Sequence, residues 1–247
     1  MILALLLAAA PMSVAGPLGP FSSPLGQALG SHFEGTGDTK VGDWVTFKLS
    51  SGGEREAYWR MAVVGEETDV KGRDAWWMEI EFGQHHEFKA PLAQVRVLSV
   101  KGQPLTAASV TRAYAAVGLD PVRELDARAI EGLFARPPTE APQPTPESSA
   151  RDLGVRTVKG AETRLLTLAG TVAAVPVEVR IKGTVLKRFW VSRAVPVLHL
   201  AKIEIPAIGH AMEVRDFGTG AKGRMVLPPP GTPTLGVEHA TPLKPSP

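Results

Sequence analysis

The chain has 247 residues, 44% of them hydrophobic, and its 27 lysines and arginines nearly balance 25 aspartates and glutamates. With no basic stripe interleaved with aromatic residues, this composition excludes nucleic acid as an expected partner. The absence of cysteine excludes disulfide bonds, thiolate metal sites and cysteine nucleophiles, so the fold must depend on its hydrophobic core.

The N-terminus has the pattern of an export signal. An uncharged apolar run ends in the small residues Ser13 and Ala15, so residues 1–15 are predicted to be a signal peptide. The run is shorter than the roughly 20 residues that span a bilayer, and no transmembrane segment is predicted. The mature chain is therefore expected in the periplasm or outside the cell, and residues 16–40, rich in Gly, Ser and Pro, are expected to be mostly irregular.

A first block of β-strands is predicted between residues 41 and 100. Trp59, Met61 and Val63 alternate with their neighbours, and residues 76–82 alternate in the same way. Residues 45–49 open this block, 51–54 supply a hairpin turn and 95–100 close the block. Such a period of two indicates one buried and one wetter face.

Two helices are predicted next. Val110, Ala113, Tyr114 and Val117 follow helical spacing, with Gly118 as the stop. The second helix is expected to begin at Asp120 and Pro121 and to carry its apolar face on the following residues: Val122, Leu125, Ala129, Ile130 and Leu133.

Proline divides the remaining chain. A proline-rich loop is predicted at 137–147, because proline fixes φ and lacks a backbone donor, and a disordered proline-rich tail at 228–247. Between them, strands are predicted at 165–169, 177–181, 185–192, 199–205 and 212–217. The order of strands, helices and strands indicates an α+β fold with an antiparallel sheet, forming a single domain over residues 41–227.

Four motifs carry residue types found in catalytic or metal sites, and none of them predicts such a site. His85 and His86 are adjacent on the chain and favour a polar loop over convergent ligands. The segment 218–223 lacks the Ser or Thr of a phosphate loop and favours a glycine hairpin loop before a short strand at 224–228. Ser192 has no motif that marks an activating base. No cofactor and no enzymatic activity are expected.

Glu79 and Glu81 are the fourth motif. They share one face of a predicted strand, which leaves paired-carboxylate chemistry open, whereas the simpler interpretation is a solvated strand face.

Large apolar side chains are concentrated on the predicted strands, where all five tryptophans lie. They can form the core, which is the usual place for these residue types, or they can line a groove for an apolar ligand. Both interpretations remain open at the level of sequence.

Four short stretches resemble exported proteins related to the outer-membrane lipoprotein carriers, the LolA/LolB-like superfamily: 41–45, 72–79, 189–196 and 216–221. The likeness spans residues 41–227 and rests on strand pattern and short aromatic and glycine motifs. The resemblance implies a curved, unclosed antiparallel sheet, or half-barrel, with about two helices over its concave side, enclosing a cavity for acyl chains.

The expected function is an envelope protein that binds a lipid or a lipoprotein acyl chain in the concavity of the sheet. The alternative is a structural or interaction module that has no ligand cavity and binds an envelope protein. The residues expected to line the groove are Trp59, Met61, Trp76, Met78, Phe82, Val179 and Phe189.

Overall fold

The computed structural model describes residues 38–50, 56–134, 154–229 and 232. The predicted signal peptide, the turn at 51–54, the proline-rich loop and most of the tail lie outside the described residues. Within these ranges the strands are β1 (Trp44–Ser50), β2 (Glu56–Thr68), β3 (Asp74–Gly83), β4 (Ala93–Val100), β5 (Val110–Val117), β6 (Arg123–Glu124), β7 (Val155–Lys159), β8 (Thr163–Thr167), β9 (Gly170–Ile181), β10 (Thr184–Val191), β11 (Leu200–Ile205) and β12 (His210–Gly218). A helix, α1 (Ala127–Phe134), follows β6, and a 3-10 turn (Pro206–Ile208) follows β11.

These strands form one antiparallel sheet of 12 strands, curved and unclosed. The order is β6-β5-β4-β3-β2-β1-β12-β11-β10-β9-β7, and β8 pairs with the first half of β9. The pairing of β1 with β12 joins the strands of residues 44–124 to the strands of residues 155–218. The antiparallel, unclosed sheet expected from the sequence is thus confirmed.

The sheet has two unlike faces, and the inward face is apolar. Pairs of neighbouring strands bring apolar residues opposite one another, such as Val45 with Met61 and Val63 with Met78. The inward face carries Val45, Phe47, Met61, Val63, Met78, Ile80, Val95, Val97, Phe189, Ile203, Met212 and Val214, all buried in one core. The outward face carries the residues between them, among which are Arg60, Glu79, Glu81 and Arg96.

Irregular pairing bends the strands. The register shifts at five places, where one strand has an extra residue: Val64 of β2, Thr111 of β5, Leu186 of β10, Ala201 of β11 and Arg215 of β12. A bulge places two residues against one and increases local twist, so bulges spread over the sheet favour a curved rather than a flat surface.

The first predicted helix is wrong, because residues 110–117 form strand β5. Ala113 and Ala115 pair with Val97 and Val95 of β4 and are buried inward, whereas Tyr114 lies opposite Arg96 on the other face. The spacing of Val110, Ala113, Tyr114 and Val117 fits a helix by coincidence. Strand pairing satisfies the backbone of this segment, and tertiary context overrides a local pattern of this length.

The second predicted helix exists but begins later. Asp126, not Asp120, caps α1, since its Oδ1 accepts a hydrogen bond from the Ala129 backbone N–H at 2.7 Å. The segment before it forms β6. Among the described residues there is one short α-helix, fewer than the two expected.

Helix α1 covers part of the inward face. Ala129, Ile130 and Leu133 belong to the same core as the inward strand residues. Val195 and Val197, in the loop between β10 and β11, join this core as well. Within the described ranges, no helix is long and apolar enough to span a membrane.

Candidate functional site

The seven residues predicted to line a groove all lie on the inward face. Trp59 is opposite Phe82, and Met61 is two residues beyond Trp59 on the same strand. Trp76 and Met78 share this face of β3 by the same alternation. At the other half of the sheet, Phe189 pairs with Val177 of β9, and Val179 follows two residues later.

Burial divides these seven residues into two groups. Met61, Trp76, Met78 and Phe189 are exposed by 1%, 8%, 2% and 4% and belong to the core. Trp59, Phe82 and Val179 are only half-buried. The first group contributes to packing in this structure, and the second group is within reach of a ligand.

The half-buried residues lie towards one end of the strands. The end concerned is the one at which β1, β3, β9 and β11 finish, and its half-buried apolar residues are Leu49, Trp59, Phe82, Val177, Val179 and Ile205. We call this set the apolar rim. Trp59 packs on Phe47 with ring centroids 6.2 Å apart, so the rim continues directly into the core.

Two polar residues interrupt the apolar rim, Lys187 of β10 and His210 of β12, which lies opposite Ile205. Lys187 lies opposite Val179 of β9 and two residues before Phe189, which places it on the inward face. Burial lowers the pKa of its ammonium group. No carboxylate of the described residues lies within ion-pair distance of Lys187, and the inward positions of β9 to β12 hold neither Asp nor Glu.

The outward face contains a buried ionic cluster, which corrects the expectation of a solvated Glu79 and Glu81. Both glutamates are exposed by only 1%. Glu81 accepts hydrogen bonds from Arg60 at 2.7 Å and from Gln94 at 3.0 Å. Glu79 accepts hydrogen bonds from Arg96 through both the Nε and a terminal guanidinium nitrogen.

The ionic cluster is buried because residues 219–229, which we call the strap, cross it. The backbone N–H groups of Arg224 and Met225 each donate to Glu79 at 2.7 Å, and the Arg224 guanidinium donates to Glu81 at 3.2 Å. Arg96 donates back to the Met225 carbonyl at 2.9 Å. The carboxylate oxygens of both glutamates therefore accept hydrogen bonds from the surrounding donors, and the arrangement fastens a segment rather than presenting a general acid and base.

The strap also corrects the expectation for residues 218–228. No strand follows Gly218 in the described part of the chain, so 218–223 is not a hairpin loop and 224–228 is not a strand. Gly223 lies so close to Arg96 that a Cβ there would press against the arginine's guanidinium group. The glycine is needed for close approach of the strap to the sheet.

The histidine motif lies where it was predicted. His85, His86 and Glu87 form an exposed loop after β3, which ends at Gly83. Among the residues that the structure describes, no three His, Asp or Glu side chains are grouped as metal ligands. Ser192 is 2% exposed, and its Oγ has no hydrogen-bond partner in that part of the chain, so no base activates it there.

A separate depression lies between α1 and β5. Its volume is about 430 Å³, and its lining mixes Val110, Leu125 and Ile130 with Arg112, Glu124 and Glu131. None of the seven predicted groove residues lines it, and its charged lining differs from the apolar rim.

Two features of the site were missed at the level of sequence, namely the ionic cluster and Lys187. A signal for the cluster was present, since Arg60 and Arg96 lie on the strands next to β3 and carry the charge that Glu79 and Glu81 require. Lys187 follows a bulge at Leu186, which shifts the alternation of β10 by one residue. Lys187 lies two residues before Phe189, so the alternation of β10 already places it on the face of that groove candidate, and only the lack of a facing carboxylate among the described residues needed the structure.

No family model matches the sequence, and no curated protein matches it. Solved structures do match the fold. The chain is similar to the MucA/MucB complex of Pseudomonas aeruginosa, with 13% identity and a TM-score of 0.36 over 83% of this chain and 58% of that chain. It spans 51% to 60% of the chains in the MucB structures that it matches.

Two further similar structures are matched over most of their own length. One is a candidate exported protein with a YmcC-like fold from Bacteroides fragilis, with 6% identity and a TM-score of 0.34 over 73% of this chain and 97% of that one. The other is a candidate outer-membrane lipoprotein-sorting protein domain from Vibrio parahaemolyticus, with 11% identity and a TM-score of 0.27 over 79% and 90%. The resemblance stated from the sequence is confirmed as a resemblance. At these identities and TM-scores, it transfers neither ligand nor partner.

Proposed function

We propose that this chain is a non-enzymatic envelope protein, periplasmic or secreted, that holds an apolar ligand such as a lipid or an acyl chain against the inward face of its curved sheet. The observation that carries the proposal is the apolar rim. Six apolar side chains on β1, β2, β3, β9 and β11 are half-buried at one end of the strands, beside the buried core. Half-buried apolar surface of this kind is the usual lining of a small-molecule site.

The proposal gives the seven predicted residues different roles. Trp59, Phe82 and Val179 contact the ligand directly, whereas Met61, Trp76, Met78 and Phe189 form the packed floor beneath it. The outward face offers no comparable surface over β3, because Glu79 and Glu81 are occupied by arginines and by the strap.

The test is binding of the neutral apolar dye N-phenyl-1-naphthylamine, followed by its fluorescence. We expect saturable binding that Trp59→Leu weakens by about tenfold, since loss of an aromatic contact in a site costs on the order of 1 to 2 kcal/mol. Trp190→Leu is the matched control, because Trp190 is also half-buried but lies on the outward face between Arg188 and Lys202. Dye binding that is absent, or equally weakened by both variants, contradicts the proposal.

The second candidate function is an interaction module, and strand β7 favours it. β7 is an edge strand of the described sheet, it pairs only with β9, and four of its five residues are exposed. An unpaired edge can add a strand from a partner protein. The substitution Thr157→Pro should abolish binding of an envelope partner to this edge and leave dye binding unchanged. That result would separate the two functions.

A further inference from the structure

Lys187 has an environment that a structural lysine avoids. It is half-buried, it lies opposite Val179, and continuing the β10–β11 register places Ile205 on its other side. Glu178 of β9 and Glu204 of β11, the carboxylates of the two strands beside it, lie on the outward face and pair with Arg188. Burying an ammonium group without a counter-charge is unfavourable, and burial accordingly lowers its pKa.

We propose that Lys187 is the anchor for the anionic head of a long-chain fatty acid whose acyl chain lies along the apolar rim. This inference rests on the proposed function, and it names the class of ligand. An ammonium that has no carboxylate partner among the described residues, at the border of an apolar surface, is complementary to an amphiphile with a single negative charge. A carboxylate at Lys187 would supply the counter-charge that the inward positions of β9 to β12 lack.

The position of Lys187 along the rim sets the length of the ligand. Lys187 is on β10, and Ile205, Leu49, Trp59 and Phe82 follow on β11, β1, β2 and β3, with β12 between β11 and β1. Five strand spacings of about 4.8 Å amount to about 24 Å. That path suits a long acyl chain better than a short one, because a short chain would leave Trp59 and Phe82 uncovered.

The experiment compares two probes that differ only in the head group, hexadecanoate and hexadecanol. Each is delivered from cyclodextrin and measured by equilibrium dialysis against the full chain. We expect hexadecanoate to bind about tenfold more tightly than hexadecanol, and octanoate to bind far more weakly than either.

Lys187→Met should remove the preference for hexadecanoate and leave hexadecanol binding unchanged. Lys187→Glu should abolish hexadecanoate binding and keep hexadecanol binding. Lys71→Met is the control, because Lys71 lies in an exposed turn between β2 and β3. Circular dichroism of each variant establishes that it is folded.

The two proposals fail in different ways. Equal binding of hexadecanoate and hexadecanol, or a preference that survives Lys187→Met, overturns the anchor and leaves the apolar site standing. Failure of both probes to bind the wild-type chain overturns the proposed function together with the anchor. A loss of hexadecanoate binding in Lys71→Met as large as that in Lys187→Met also overturns the anchor.

Discussion

The two faces of the sheet differ in whether their buried charged groups have partners of opposite charge. On the outward face, Glu79 and Glu81 are almost fully buried, and arginines, a glutamine and the strap backbone satisfy their carboxylate oxygens. On the inward face, Lys187 is half-buried and has no carboxylate of the described residues beside it. An ionic cluster whose groups are all hydrogen-bonded holds parts of a fold together. A charge that lacks a counter-charge beside an apolar surface is instead a place where a ligand can supply that counter-charge.

The largest effect is expected from Glu79→Ala. Removing this carboxylate leaves the Arg96 guanidinium and the Arg224 and Met225 N–H groups buried without their acceptor, which should cost about 3 to 5 kcal/mol of unfolding free energy. Urea denaturation measures it. Glu87→Ala is the control, since that carboxylate pairs with Lys89 on the surface, and the unfolding free energy should change little. Equal losses in both variants would mean that the cluster is not what fastens the strap.

The next largest effects on stability are expected when two glycines with different surroundings are replaced by alanine. Gly223→Ala brings a methyl group against the Arg96 guanidinium, so that guanidinium or the strap must shift, and because Arg96 is held by Glu79 and by the Met225 carbonyl we expect a cost of about 1 kcal/mol. Gly132→Ala, in α1 with nothing within 4 Å, should instead stabilise the protein by about 0.5 to 1 kcal/mol. Thermal denaturation of the two variants should give shifts of opposite sign. Limited proteolysis should also cleave the strap of the Gly223→Ala variant faster than that of the wild type.

A smaller and pH-dependent effect is expected at Asp69, in the turn between β2 and β3. Burial raises the pKa of Asp69, but hydrogen bonds from Arg73 and from the Lys71 N–H outweigh it, and the pKa lies below its ordinary value. A lowered carboxyl pKa stabilises the fold above the unfolded value of 3.8, and this stability is lost as the pH falls through the folded pKa.

Asp69→Asn should therefore lower Tm by the same amount from pH 7 to pH 5, and the difference from wild type should narrow below about pH 3.8. Asp120→Asn, at an exposed turn, is the control and should change Tm little at any pH. A difference at Asp69 that grows as the pH falls would show that the carboxylate does not act through its charge.

The smallest effect on stability is expected at Lys187. Because burial lowers its pKa, the unfolded chain binds more protons between the folded value and 10.5, and wild-type stability should rise with pH across that interval. Lys187→Met should be at least as stable as wild type at pH 7 and should lack this rise. A clear loss of Tm at pH 7 would indicate that Lys187 stabilises the fold through a favourable contact, contrary to the comparison with Glu79.

The limits of local pattern are visible at strands β3 and β5. In β3 the alternation from Trp76 to Phe82 identified the strand and its apolar face correctly, because half-burial imposes a period of two on any such strand. The same alternation led to the wrong expectation that Glu79 and Glu81 are solvated, because it does not show which segment covers the outward face. In β5 the short segment fits both periods, and only its pairing with β4 decides between them.

The sequence by itself determined the antiparallel class of the sheet, the positions of most strands and the face shared by all seven groove candidates. These features follow from alternation, which is a local property of each strand. The tertiary structure decided which of the seven are sealed in the core, that β5 is a strand, that the strap buries the ionic cluster, and that no carboxylate of the described residues faces Lys187. Each of these depends on contacts between residues far apart in the chain, and such contacts leave no local pattern to read.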